Sequence, residues 1–275
     1  MDLIQRLRRG VGIVSGRTIA ALSGFTVRPD DVFLVSYPKS GNTWTRFLVG
    51  NAATGADGSV DFTSIDAKVP DIHKISAAAL DALPGRRFIK SHSAFDPRYP
   101  KVIYVVRNPL DVLVSYFHFQ RKNGVLPADA TIADYAGDFL EQSGNYGTWA
   151  QNVESWTAAM AGNPNFLLLR YEDMLADTAR ELRKVLAFAG LPADEEILAR
   201  TVQLSSSEAM RRLEQEQAGA WQATRNSDRS IPFVRKASSG GWREEMDEGL
   251  ATKIAERWAI PMRRLGYLDE RGLPA

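Results

Sequence analysis

The sequence predicts an α/β fold, a single three-layer domain with a mainly parallel central sheet and helices on both faces. Three observations carry that expectation. Short, β-rich apolar runs at 32–37, 87–90, 101–106 and 166–169 alternate with segments of helical period. The run at 101–106, KVIYVV, is apolar almost throughout, as a strand covered on both faces should be. The chain has 275 residues, 44% hydrophobic and 24% charged, enough for one sizeable core in a globular protein.

Composition removes several functions. A net charge of +1 argues against a bulk nucleic-acid binder, which should be basic overall. There are no cysteines, so disulfides, thiolate catalysis and cysteine-type zinc sites are excluded. The three histidines lie far apart without an HExxH pattern, so no metal is expected.

Residues 1–27 read as a basic amphipathic segment ahead of a domain at 28–275. Leu3, Ile4, Leu7, Val11 and Val14 mix with Arg6, Arg8, Arg9 and Arg17. Gly10, Gly12, Ser15 and Gly16 interrupt any secretory apolar core, and the stretch is too short and charged to span a bilayer. Two readings stay open: a helix packed on the domain, or one resting on an anionic membrane surface.

The segment 30–52, DDVFLVSYPKSGNTWTRFLVGNA, organises the rest. It reads as strand, tight loop and helix. Pro38 stops the strand, Gly41 lets the backbone fold against a ligand, and Trp44, Phe47, Leu48 and Ala52 recur at helical spacing. A loop feeding a helix N-terminus is a ready anion site. Lys39 adds a charge, and Ser40 and Thr43 add hydroxyl donors. The pattern is P-loop-type but departs from G-x-x-x-x-G-K-[ST], because the lysine precedes the glycine and no glycine opens the loop.

Residues 54–86 read as loop and helix, with 77–83 helical up to Pro84-Gly85. The second strand runs into Ser91-His92, a polar cluster at the sheet end where α/β folds place ligands. The third strand ends in Arg107, where nucleotide triphosphatases often carry a magnesium-binding Asp; an Arg there favours direct anion binding. Asn108-Pro109 opens a helix to about 120, on which Ser115 could face the same phosphate. Helices follow at 132–143 and 146–161, split by Gly144-Asn145, with Trp149, Val153 and Trp156 as a core stripe. A fourth strand precedes Arg170-Tyr171-Glu172-Asp173 and a helix at 178–189, and Asp194, Glu195 and Glu196 suit a helix start. After Ser205 the chain is helical to about 217. Residues 218–241 form a long irregular segment reaching Arg235-Lys236, two cations beside small residues that suggest an anion clamp. A closing helix is expected over 252–265. His73 and His118 read as structural, His118 on a core helix.

Several of these stretches together resemble the cytosolic-type sulfotransferase family after about residue 30. YPKSGNTW is similar to its 5′-phosphosulfate loop, with Asn42 where threonine is usual, a residue that can still donate a hydrogen bond. VIYVVRNPLDVLVSYFHF resembles its 3′-phosphate segment, which implies Arg107 and Ser115 on that phosphate. FIKSH resembles the strand carrying the catalytic histidine, here His92, with Lys90 beside it. LLLRYEDM and Trp44 imply Tyr171 and Trp44 at the adenine. RKASSGGW implies Arg235, Lys236 and Ala237 over the 3′-phosphate, with Ala237 replacing a glycine and Gly241 an aspartate. SSSEAM implies a nucleotide contact at Ser205. The family's dimer segment after Trp242 is not recognisable, so homo-oligomerisation stays open.

The resemblance implies sulfuryl transfer from 3′-phosphoadenosine 5′-phosphosulfate (PAPS) to a small-molecule or lipid-like hydroxyl or amine, in the cytoplasm or at a membrane periphery, without metal or nucleic acid. His92 is the expected general base, at an unperturbed pKa of about 6.5. Lys39 and Lys90 are expected to offset charge on the departing 5′-phosphate, and Ser115 to restrain Lys39. Two rivals stay open: a P-loop nucleotide kinase or hydrolase, and a non-catalytic nucleotide-binding protein on the same fold.

Overall fold

The computed structural model describes residues 24–55, 58–141, 146–217, 219–221 and 223–275. Residues 1–23, with both readings of them, and the break expected at Gly144-Asn145 lie outside the described residues.

Strands β1 (Val32–Ser36), β2 (Phe88–Ser91), β3 (Val102–Val106) and β4 (Phe166–Arg170) form one parallel sheet in the order β2-β1-β3-β4. From β1 the chain crosses to β2 on one side, and from β2 back to β3 on the other. The crevice above the β1 and β3 ends is therefore a topological switch point, where α/β sheets bind ligands. Alternate β1 residues serve opposite layers: Phe33 and Val35 join one buried cluster, Val32 and Leu34 the other. One layer holds α1 (Asn42–Ala53), α8 (Thr178–Ala189), α9 (Glu195–Leu204) and α10 (Ser207–Gln217). The opposite layer holds α4 (Pro109–Lys122), α5 (Ile132–Glu141) and α6 (Trp149–Ala159), with Trp149 and Trp156 fully buried as expected. The expected three-layer α/β architecture is thus the observed one.

Between β1 and β2 run two short helices, α2 (Ile65–Lys68) and α3 (Ala77–Asp81). Buried Arg46 on α1 fastens this connection, donating to the Val69 carbonyl at 2.9 Å and to Asp66 at 2.7 Å. At the foot of β1 a bidentate pair, Arg87 to Asp31 at 2.8 and 2.6 Å, is shielded from solvent, so removing either partner would strand a buried charge. Residues 24–27 pack on this body: Phe25 is buried and the Thr26 N–H bonds Asp81.

Two local expectations are corrected. A short helix, α7 (Tyr171–Ala176), follows β4 directly, before α8. The closing helix is two helices, α11 (Glu248–Arg257) and α12 (Ala259–Arg264). They meet at Trp258, whose φ of −119° is not helical, and Pro261 falls in the first turn of α12, where its missing N–H costs nothing. The irregular stretch ends in a 3₁₀ turn, Gly241–Glu244, and is tied down by buried side chains. Lys122 donates to the Asp228 and Ile231 carbonyls at 3.0 and 2.6 Å. Glu214 accepts from the Phe233 and Val234 N–H groups at 2.5 and 2.9 Å. Among the described residues no helix is long and apolar enough to cross a membrane.

Candidate active site

The β1 loop, the ends of β2 and β3, α7 and the strap 233–241 enclose a cavity of about 880 Å³. Of the thirteen residues proposed from sequence for the nucleotide, twelve line it, as do His92 and Lys90; Ser40 is buried in the loop behind it. Distant segments are thus brought to one crevice.

The loop turns through two left-handed residues, Lys39 at φ 70° and Gly41 at φ 104°. At Gly41 the need for glycine is steric as well, since an added Cβ would meet the Tyr171 ring at 2.6 Å. The turn delivers the chain into α1, whose first N–H groups have no carbonyl a turn earlier and so offer donors to an anion. Ser40 Oγ is buried and has no hydrogen-bond partner. Asn42 needs a correction: its side-chain amide donates inward, to the Leu34 carbonyl at 3.0 Å and Ser36 Oγ at 3.1 Å. It therefore presents the cavity with its main-chain N–H rather than a side-chain donor.

Lys39 is also placed unexpectedly. Its ammonium lies over the rings of Phe119 and Phe233, 4.2 and 4.6 Å from their centroids. No hydrogen bond joins it to Ser115, so the expected restraint by that hydroxyl is replaced by an aromatic slot. Burial, with Arg107 and Lys90 nearby, lowers its pKa to about 7.

Arg107 leaves the end of β3, donates to the Lys39 and Ser238 carbonyls at 3.3 and 3.0 Å, and lies 4.3 Å over the Tyr171 ring. Its Nε is buried and unpartnered. Trp44 meets Tyr171 edge to face at 5.6 Å and donates from Nε1 to the Ser205 carbonyl at 3.0 Å. Ser205 Oγ accepts from Asn51 at 3.0 Å. The strap is held by Asp111, which accepts from the Gly240 and Trp242 N–H groups at 2.8 and 3.1 Å, and by Arg211, which donates to three strap carbonyls. Ala237 adopts φ 51°, a conformation that glycine takes without strain.

The cations of the strap are not free. Arg235 pairs with Glu245, and Lys236 with Glu244 at 2.7 Å and Glu245 at 3.3 Å. His118, expected in the core, is half-buried on α4 and bonds Glu245 at 2.5 Å. Burial pushes the Glu245 carboxyl up, but His118 and Arg235 outweigh it and hold the group at about 2.

At the far end of the cavity, His92 Nδ1 donates to the Ser36 carbonyl at 2.7 Å. A carbonyl only accepts, so Nε2 carries the free lone pair. Burial, then Lys90, lowers its pKa well below 6.5, correcting the unperturbed value expected. Lys90 donates to Asp71 Oδ2 at 2.6 Å. Burial alone would raise the Asp71 carboxyl, but Lys90 and the neighbouring histidines hold it below the ordinary carboxylate range. His73, read as structural, lines the cavity instead, and its Nε2 accepts the His92 main-chain N–H at 2.9 Å. Tyr146 closes this end, with its ring 5.1 Å from His73 and 5.5 Å from His92. Asp71, His73, Glu245 and the Phe119–Phe233 slot were missed by sequence reasoning. Asp71 and His73 lie in a stretch without periodicity, and only the D-x-H spacing, matching K-x-H at Lys90 and His92, could have flagged them.

The arrangement offers donors for anions at one end and a neutral imidazole base at the other, which suits transfer of an anionic group to a nucleophile. A sequence model of the sulfotransferase domain matches residues 29–266. Human sulfotransferase 1C2 is 31% identical over 240 residues, 81% of this chain and 79% of its own. A mouse sulfotransferase, SULT7A1, solved with PAP, is 29% identical, with TM-score 0.73 over 91% of this chain and 90% of its own. A retinol dehydratase solved with retinol and PAP is 21% identical, with TM-score 0.77 over 93% of this chain and 86% of its own, a likeness of fold.

Proposed function

The chain belongs to the sulfotransferase family, and we propose that it moves a sulfuryl group from PAPS to a hydroxyl or amine of a small-molecule or lipid-like acceptor. One observation carries this reading: His92, with Nδ1 bound to the Ser36 carbonyl, has Nε2 left as a base in the same cavity as the β1 loop.

The residues fit a doubly phosphorylated nucleotide. Arg107 lines the cavity with its Nε buried and unpartnered, and such a group calls for a ligand or water. Lys39, Ser40, Gly41, Asn42 and Thr43 would hold the 5′-phosphosulfate, the loop mainly through main-chain N–H groups. Arg107, Ser115, Arg235, Lys236 and Ala237 would hold the 3′-phosphate. Trp44, Tyr171 and Ser205 would hold the adenine. When bound, PAPS supplies the sulfuryl group. His92 Nε2 takes the acceptor proton as the new bond to sulfur forms, S–O for a hydroxyl and S–N for an amine. Lys39 leaves its aromatic slot and, with Lys90, offsets the charge that develops on the 5′-phosphate as the old S–O bond breaks. No metal takes part in this scheme.

A cytoplasmic protein whose residues 1–27 rest on a membrane would meet a lipid-like acceptor there. Vesicle co-sedimentation of the full chain against one lacking residues 1–24 tests that part; equal binding removes it. The chemistry is tested by PAP release from PAPS in EDTA, with 4-nitrophenol as acceptor probe. Wild type should turn over and His92→Ala should not; equal rates would remove His92 as base.

A further inference from the structure

At the outer edge of the sheet, residues 70–72 run alongside β2. The Lys90 N–H donates to the Pro70 carbonyl at 2.8 Å, and the Ile72 N–H to the Lys90 carbonyl at 3.0 Å. Asp71 thereby pairs with Lys90 as an isolated parallel bridge. Asp71 faces Lys90 across this bridge, and a turn that closes from the Lys74 N–H onto the Asp71 carbonyl at 2.9 Å sets His73 against His92. Two rungs result. The first is the Lys90–Asp71 ion pair at 2.6 Å. The second sets the imidazoles of His73 and His92 stacked at 6.1 Å, 7° from parallel, with His73 Nε2 accepting the His92 N–H at 2.9 Å. Arg46 anchors the entry to this segment through the Val69 carbonyl.

We propose that Asp71 and His73 are positioning residues for sulfuryl transfer: the Asp71 carboxylate aims the Lys90 ammonium, and the His73 imidazole fixes the main chain that carries His92. The inference rests on the function proposed above. The geometry goes further than a stabilising contact requires. Asp71 is nearly fully buried and uses both oxygens, Oδ2 on Lys90 and Oδ1 on the His73 N–H at 3.0 Å. The ammonium keeps two donors for the reacting group while one is fixed. His92 is held from two sides, by Ser36 at its ring and by His73 at its main chain. His73 can accept only while Nε2 is unprotonated, so its proton belongs on Nδ1, an atom that is buried without a partner. That is a costly arrangement for an imidazole with no task. Near-attack geometry is the quantity such residues protect, and a misplacement of about 1 Å can cost on the order of a hundredfold in rate.

The chain has three histidines, so a long-range ¹H–¹⁵N spectrum of the labelled full-length protein resolves each ring. His73 and His92 should both be neutral with the proton on Nδ1. A His73 proton on Nε2 overturns the second rung whatever the activity. Kinetics then separate positioning from folding, with PAPS and 4-nitrophenol as probes. Asp71→Asn and His73→Ala should each lower kcat roughly tenfold or more, with the KM for PAPS and the PAP-induced melting shift unchanged. His73→Gln, which keeps an acceptor, should recover part of the loss. Unchanged kcat in both variants, or losses of PAP affinity as large as the loss of kcat, would overturn the proposal. Should wild type show neither a PAP-induced shift nor turnover, the sulfotransfer reading itself fails, while the spectrum still decides the His73 contact.

Discussion

The two ends of the cavity are built on opposite plans. At the end proposed for the nucleotide, Arg107 Nε has no partner and Lys39 rests on phenyl rings rather than on an oxygen. At the end proposed for the acceptor, Lys90 is already bonded to Asp71 and His92 to Ser36 and His73, while His73 Nδ1 is buried without a partner. On the proposed function the first end is completed by its ligand. The second is set before anything arrives, as electrostatic preorganisation requires. Substitutions should therefore act on binding at the first end and on turnover at the second.

The sharpest way to break that contrast is at the acceptor end. His92→Ala should lower kcat roughly a hundred- to ten-thousand-fold, the usual weight of a general base, while isothermal titration finds PAP affinity unchanged. A matching loss of affinity would erase the division. Next comes the nucleotide end. Arg107→Ala removes charge-assisted hydrogen bonds worth about 1.5–3 kcal/mol each, so PAP should bind roughly ten- to a hundredfold more weakly by titration.

A pH series sharpens the contrast further. Lys39, lowered to about 7 by burial, carries its charge below that pH in the empty protein and loses it above. A bound anion restores the charge by raising the pKa, so binding takes up a proton above about pH 7. PAP affinity should be flat below that pH and fall by up to about tenfold per unit above it. Calorimetry in buffers of different ionisation enthalpy reads the proton directly, and Lys39→Met should abolish the slope. The acid limb of turnover should lie below pH 6.5, because His92 stays neutral to well below its ordinary value. The smallest effect concerns Glu245, which competes for Arg235 and Lys236. Glu245→Gln should tighten PAP roughly two- to fivefold, in line with a partly exposed ion pair, with ADP affinity unaltered.

The same contrast separates what the sequence revealed from what it hid. The β1 loop was legible because its pattern is local. A strand, Pro38, a tight turn at Gly41 and a helix lie within one short stretch, and Arg107 follows its strand directly. The sheet was legible for the same reason, since each strand is a compact apolar run. The acceptor end depends on pairing between segments with no shared pattern. Asp71 and His73 acquire their partners only because residues 70–72 bond to the edge of β2. Likewise Glu244 and Glu245 read as ordinary surface charges until the 3₁₀ turn brings them back to Arg235 and Lys236. The slot for Lys39 joins Phe119 of α4 to Phe233 of the strap, a contact that no local rule anticipates.

The proposed site takes a nucleotide phosphorylated at both its 3′ and 5′ positions, without metal. It is tested most directly by thermal melting with adenosine 3′,5′-bisphosphate in EDTA, beside ADP and ATP with magnesium. At about a hundred times its Kd a ligand stabilises the fold by about 2.7 kcal/mol, a readily visible shift. A rise with the 3′,5′-bisphosphate alone is the predicted result. A rise only with ATP and magnesium would contradict the account and point to a kinase or hydrolase.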